Sequence, residues 1–259
     1  MKNSKASEDK MLDEIIANKR REMETLKTFP GRRTKPVLNF RESLRTKPII
    51  AEVKKASPSL GDINTAADPV VQAKTYERLG AGAVSVLCDE KYFKGSINDL
   101  AAVAAEIKIP VLCKDFIIDE KQITNAYSAG ADCVLLMASV LNKDEMLYLA
   151  KKARILGLEV LFEVHALEEI ETVLACEPKL LGVNNRNLKT LEINMGYGAH
   201  MLDILNGDYM KVAESGMKKP MDVAMMRGAG ADAFLIGSGL MASDRIEELF
   251  AEMMAAACL

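Results

Sequence analysis

A chain of 259 residues, 49% of them hydrophobic, can bury a sizeable core as one large domain or two small ones. A formal charge of -3 argues against a general nucleic-acid binder, which needs a basic face for phosphate backbones, and points to a small-molecule partner. No apolar run approaches the roughly 20 residues of a membrane span, and the charged N-terminal stretch does not fit a secretory signal, so a cytoplasmic protein without membrane contact is expected.

Residues 8–27 place Met11, Ile15, Ile16 and Met23 on or near one side of a charged helical pattern. The Pro- and Gly-interrupted basic connector TFPGRRTKP and a second short helix, NFRESLRT, follow. Residues 1–47 therefore read as a helical extension of a single domain spanning 1–259. From Pro48 the pattern becomes regular. Runs rich in Val, Ile and Leu (IIAEV, AVSVLC, VLCKDF, CVLLMA, EVLFEV, LLGVNN, MKVAES and AFLIGS) alternate with helix-period segments such as DPVVQAKTYERLG, SINDLAAVAAEI, DEKQITNAYSAG, NKDEMLYLAKKARILG, ALEEIETVLAC and PMDVAMMRGAG. Gly80, Gly130, Gly157 and Gly230 mark helix C-termini. Eight strand–helix units predict a (βα)8 barrel. An open doubly wound sheet would want a GxGxxG turn after its first strand, and none stands there. Cys88, Cys113, Cys133, Cys176 and Cys258 form no CxxC and no metal-like cluster with His165 or His200, and read as reduced, mostly buried thiols.

In such a barrel the reactive groups sit at the C-terminal ends of the strands. Strand side chains alternate, so in the stretch PIIAEVKKASPS residues Ile50, Glu52 and Lys54 share a face, with the charges toward the mouth. The same phase delivers Lys114 after Leu112, Glu163 after Leu161, Asn184 in GVNNRN, and Glu214 after Val212. Any one of these alone reads equally well as a salt-bridged strand end. Several in one phase do not, because unpaired buried charge costs several kcal/mol. Two lysines and three glutamates in one pocket suit proton transfer near neutral pH. After the last two strands, Ser215, Gly216, Gly237 and Ser238 occupy the usual phosphate position of barrels. The first loop, KKASPSLGDI, could close as a lid, and DEKYFKGS offers Phe93 as an apolar wall.

These residues carry a family likeness. The runs IIAEVKKASPSLGDI, GAGAVSVLCDEKYFKGS, VLCKDFIIDEKQI, GADCVLLMAS, LEVLFEVHALEE, LLGVNNRNLKTLEI, VAESGM and GADAFLIGSGLM, in order over residues 45–245, resemble the indole-3-glycerol phosphate synthases of tryptophan biosynthesis. The resemblance implies a decarboxylating, dehydrating ring closure of 1-(2-carboxyphenylamino)-1-deoxyribulose 5-phosphate, with no metal or organic cofactor. It makes Lys114 the general acid at the ribulose carbonyl and Glu163 the partner carboxylate, acting as base or in the dehydration. Lys54 would hold anionic groups of the substrate or supply a second proton, and Glu52 would orient that lysine and the sugar hydroxyls. Asn184 and Glu214 would bind the middle of the substrate, Ser57 and Arg186 its carboxylate, and Ser215, Gly216, Gly237 and Ser238 its phosphate. Cys88 and Lys94 depart from the family's usual residues without touching a proton carrier. The likeness leaves open whether the chain docks on other enzymes of the tryptophan pathway. Two rival readings stand beside it: a lysine Schiff-base aldolase on the same kind of barrel, and a non-catalytic barrel that binds a phosphorylated ligand.

Overall fold

A computed structural model describes residues 5–58, 61–62, 68–188 and 190–259, the side chains of 5–10, 57 and 62 excepted. Eight parallel strands close into a barrel: β1 (Ile49–Val53), β2 (Ala83–Leu87), β3 (Val111–Lys114), β4 (Cys133–Met137), β5 (Glu159–Val164), β6 (Leu180–Asn184), β7 (Met210–Glu214) and β8 (Ala233–Ile236). Each pairs with its chain neighbours, and β8 returns to β1 with Leu235 opposite Ile50. The (βα)8 expectation is met.

Each strand splits its side chains between two cores, as its period of two requires. Ile50, Leu112, Cys133, Leu135, Leu161, Leu180, Val212 and Leu235 fill the interior. Ile49, Ala51, Val84, Val111, Val134, Phe162, Val183 and Phe234 face outward against the helices. Those helices are α1 (Lys5–Thr25), α2 (Phe40–Thr46), α3 (Pro69–Leu79), α4 (Glu90–Phe93), α5 (Ile97–Glu106), α6 (Glu120–Ala129), α7 (Lys143–Ile155), α8 (Ile170–Leu174), α9 (Met195–Ile204), α10 (Pro220–Gly228), α11 (Ser238–Met241) and α12 (Ile246–Ala257). Side-chain caps set their starts: Asp68 accepts from Val70 and Val71, Ser96 from Asp99, and Asn142 closes a capping box with Glu145. Gly80 and Gly130 end α3 and α6 in the left-handed region, where a side chain would be strained.

Some boundaries differ from the sequence expectation. β3 stops at Lys114 rather than Phe116. Residues 166–176 form a short 3-10 turn (Leu167–Glu169) and then α8 rather than one helix. Helices α9 and α12 were not among the anticipated segments. In α9, Gly196 and Gly198 weaken the helical signal, and Gly198 is there because a Cβ would stand 1.7 Å from Asn185 Oδ1. Cys88, Cys113, Cys133 and Cys176 are buried free thiols, whereas Cys258 is exposed. Among the described residues no helix is long and apolar enough to cross a membrane.

The extension reaches both ends of the barrel. Phe40 and Leu44 of α2 pack with the interior core, and Ser43 Oγ donates to Gly82 O just before β2, which places α2 at the N-terminal floor. Met11, Leu12 and Ile15 of α1 instead line the cavity at the opposite end, beside Lys114 and Glu163. The connector between them is pinned on the outside: Phe29 N donates to Asn125 Oδ1, Lys35 Nζ to the carbonyls ending α5, and Arg33 pairs with Asp132. Lys19 fastens α1. Its buried ammonium lies 3.0 Å from Asp89 Oδ2, 3.0 Å from Asp115 Oδ1 and 2.9 Å from Glu22 Oε2. Burial alone would lower its pKa, but Asp115, Asp89 and Glu22 outweigh it and hold the charge.

Candidate active site

The strand ends converge on a cavity of about 370 Å³ at the C-terminal mouth, within the size range of small-molecule sites. Glu52, Lys54, Lys114, Glu163, Asn184, Arg186, Glu214, Ser215, Gly216, Gly237 and Ser238 all line it. The side chain of Ser57 lies outside the described residues, as does most of the tip of the expected lid.

Lys114 stands at the centre, on the inward phase of β3. Its Nζ is 3.2 Å from Glu163 Oε2 and 3.5 Å from Glu214 Oε2. Burial alone would make the ammonium easier to deprotonate, yet Glu163, Glu214 and Glu52 together hold its pKa above the ordinary lysine value. Glu163 Oε1 also accepts from Asn184 Nδ2 at 3.2 Å. Burial alone would raise the Glu163 pKa, but the charges of Lys114 and His165 keep it well below the usual range. Glu214 goes the other way: burial and then the neighbouring Glu163 charge raise it well above the usual range, with Lys114 opposing. Across the mouth, Lys54 Nζ donates to Glu52 Oε1 at 2.5 Å.

Two turns build the other end. Ser215 and Gly216 follow β7 with φ of 65° and 89°. Serine seldom adopts that conformation, and Asn185 holds it by donating from Nδ2 to Ser215 O at 2.8 Å. A Cβ on Gly216 would meet Ile193 Cγ2 at 2.8 Å, and one on Gly237 would meet Glu52 Oε1 at 2.5 Å. Gly216 thus makes room for the side chains of Ile193 and Met195, and Gly237 for the Glu52 carboxylate. Arg186 is fixed by its Nη1 donating to Leu191 O at 2.9 Å and by the bridge to Ile193. Phe93 and Phe116 pack with ring centroids 6.1 Å apart and line the apolar side with Leu12, Ile15, Leu188 and Ile193. Lys55 turns away to pair with Asp99, and Cys88 lies behind β3 beside Cys113 rather than in the cavity.

Sequence reasoning missed three contributors. The apolar stripe of α1 was visible, but periodicity does not say which end of a barrel a stripe covers. Lys218, which lines the cavity beyond Gly216, was hidden in a KKP helix start. His165, two residues past Glu163, was seen only as one of two histidines.

The arrangement can protonate an oxygen from Lys114, take a proton at Glu163, and hold an anion against Ser215–Gly216 and Gly237–Ser238. A model of the indole-3-glycerol phosphate synthase family matches residues 12–253. Curated indole-3-glycerol phosphate synthases of Bacillus cereus and Bacillus mycoides are 43% and 42% identical over 243 residues, covering 93% of this chain and 96% of each relative. A solved 3-hexulose-6-phosphate synthase superposes with a TM-score of 0.65 over 81% of this chain and 99% of its own, at 14% identity, a likeness of fold alone. With a family match spanning nearly the whole chain, this protein belongs to the indole-3-glycerol phosphate synthase family.

Proposed function

We propose that the protein closes the indole ring of 1-(2-carboxyphenylamino)-1-deoxyribulose 5-phosphate by general acid–base catalysis, with Lys114 as acid and Glu163 as base. The observation that carries this reading is the position of Lys114 Nζ between two buried carboxylates at the wall of the cavity. As the aromatic carbon attacks the ribulose carbonyl, the oxygen becomes an alkoxide basic enough to take the Lys114 proton. The positive charge left on the ring system then faces Glu163. Loss of carbon dioxide restores the aromatic ring, and the apolar side of the cavity favours release of a neutral gas over retention of a carboxylate. The hydroxyl then leaves as water with a second proton, given by Lys54, while Glu163 takes the C–H proton that completes the indole. Two protons enter and one departs, so each turnover takes up one from solvent.

Arg186 receives the carboxylate, Asn184 and Glu214 the middle of the substrate, and the turns after β7 and β8 its phosphate. A Schiff-base aldolase fits less well: its lysine must shed a proton to attack a carbonyl, whereas three glutamates hold the charge on Lys114.

The test is to supply the substrate and follow indole fluorescence, which is clear of background because the chain has no tryptophan. The intact protein should turn over, and Lys114→Ala should lose about 10²–10⁴-fold in kcat. Borohydride trapping of a covalent adduct at Lys114, or an unchanged rate in the variant, would overturn the assignment.

A further inference from the structure

Lys114 lies almost equally near two carboxylates, 3.2 Å from Glu163 and 3.5 Å from Glu214. The two buried carboxyls also lie within hydrogen-bonding reach of each other, a contact that one of them must keep a proton to make. The lysine alone hardly chooses between them.

Their other neighbours differ. His165 Nε2 lies 2.9 Å from Glu163 Oε1, a contact that becomes an ion pair when the ring is protonated. Behind the ring, Glu169 Oε2 accepts the backbone N–H of His165 at 2.6 Å and stands 3.8 Å from Nδ1. The imidazole is thus sandwiched between carboxylates. Glu214 has no such company. Its Oε1 is buried without a hydrogen-bond partner, in a notch at Gly182 where a Cβ would stand 2.1 Å away.

We propose that His165 is the positioning residue that decides this contest: its imidazolium keeps Glu163 ionised as the base and leaves the proton on Glu214. His165 does not line the cavity, so it acts through Glu163. The carboxylates against the ring are Glu163 on β5 and Glu169 on the turn after it; Glu214 on β7 feels the ring's charge only weakly, and Lys114 of β3 is reached through Glu163. Burial alone would lower the His165 pKa, but Glu163 and Glu169 push it up to about 9. The ring therefore stays charged at neutral pH.

This inference rests on the reading of Glu163 as base, and its test separates the two. Infrared spectra of the substrate-free protein at neutral pH should contain a protonated-carboxyl band that Glu214→Gln removes. In His165→Asn, which keeps a polar side chain but loses the charge, the acidic limb of the kcat/KM profile should move up by about one pH unit. A merely structural role would lower the folded fraction and leave the limb in place. Glu169→Gln, which can still accept the His165 N–H, should move the limb the same way by less. No band removed by Glu214→Gln, or unmoved limbs in both histidine-site variants, would overturn the proposal. A parent protein inactive on the phosphate substrate would end the base assignment, and the band would then decide the division of protons by itself.

Discussion

Both rims of the barrel bury charge, and they do so in opposite ways. At the floor, Asp132 accepts the backbone N–H groups of Leu38 and Val111 while pairing with Arg33, and Glu159 accepts that of Arg41 while pairing with its guanidinium. Both of these carboxylates are tied into the main chain, and the result is a fastening for the connector and α2. At the mouth, Lys114, Glu163, Glu214, Glu52 and Lys54 bond to one another, and one oxygen of Glu214 bonds to nothing. Buried charge therefore does not mark a reactive centre by itself. What marks it is charge whose partners are other side chains around an open space.

The sharpest way to break this contrast is to neutralise one carboxylate at each rim. Glu163→Gln should cost about 10²–10⁴-fold in kcat with little change in unfolding temperature. Asp132→Ala should do the reverse, losing about 3 kcal/mol of stability because Arg33 is left buried and unpaired, while activity per folded molecule is kept. Assayed side by side, equal activity losses in the two variants would erase the distinction.

Lys19 lies between the two kinds, a structural ion cluster at the functional rim. Replacing it with Met leaves Asp89 and Asp115 facing each other without their ammonium, at a cost of about 3 kcal/mol. Loosening α1 takes away the wall made by Met11, Leu12 and Ile15. KM should therefore rise several-fold, more than kcat falls, in steady-state kinetics. A variant with lowered stability and unaltered KM would show that α1 is only a fastening.

The smallest expected effect is in the pH dependence of stability. The His165 pKa is raised in the folded protein, to about 9 from the ordinary 6.5. Its contribution is complete below about pH 6.5 and fades as pH climbs through about 9. Denaturant unfolding of the parent should lose about 1–3 kcal/mol across that window, and His165→Asn should lose less. Parallel slopes for the two proteins would mean that the ring is neutral throughout.

The barrel was legible because its signal is repeated. Eight short apolar runs alternate with helix-period segments, and the inward strand phase that fills the interior with Ile50, Leu112, Leu161 and Val212 also brings Glu52, Lys114, Glu163 and Glu214 to the mouth. What the sequence withheld depends on contacts distant along the chain. Helix α9 is hidden by two glycines, one of them dictated by Asn185. The side covered by α1 is decided by Lys19 finding Asp89 and Asp115, some 70 and 96 positions away. The orientation of His165 toward Glu163 is a matter of side-chain direction at a strand end, which no spacing rule sets.

The plug of Phe40 and Leu44 beneath Ile50, Leu112 and Leu180 has a consequence for traffic. With the lower opening stoppered and the interior filled by side chains, a reaction that consumes one molecule and releases three must run everything through one doorway. Gas, water and the bulky phosphorylated product share that exit with the incoming substrate, and the helix leaning over it stands where departures have to queue.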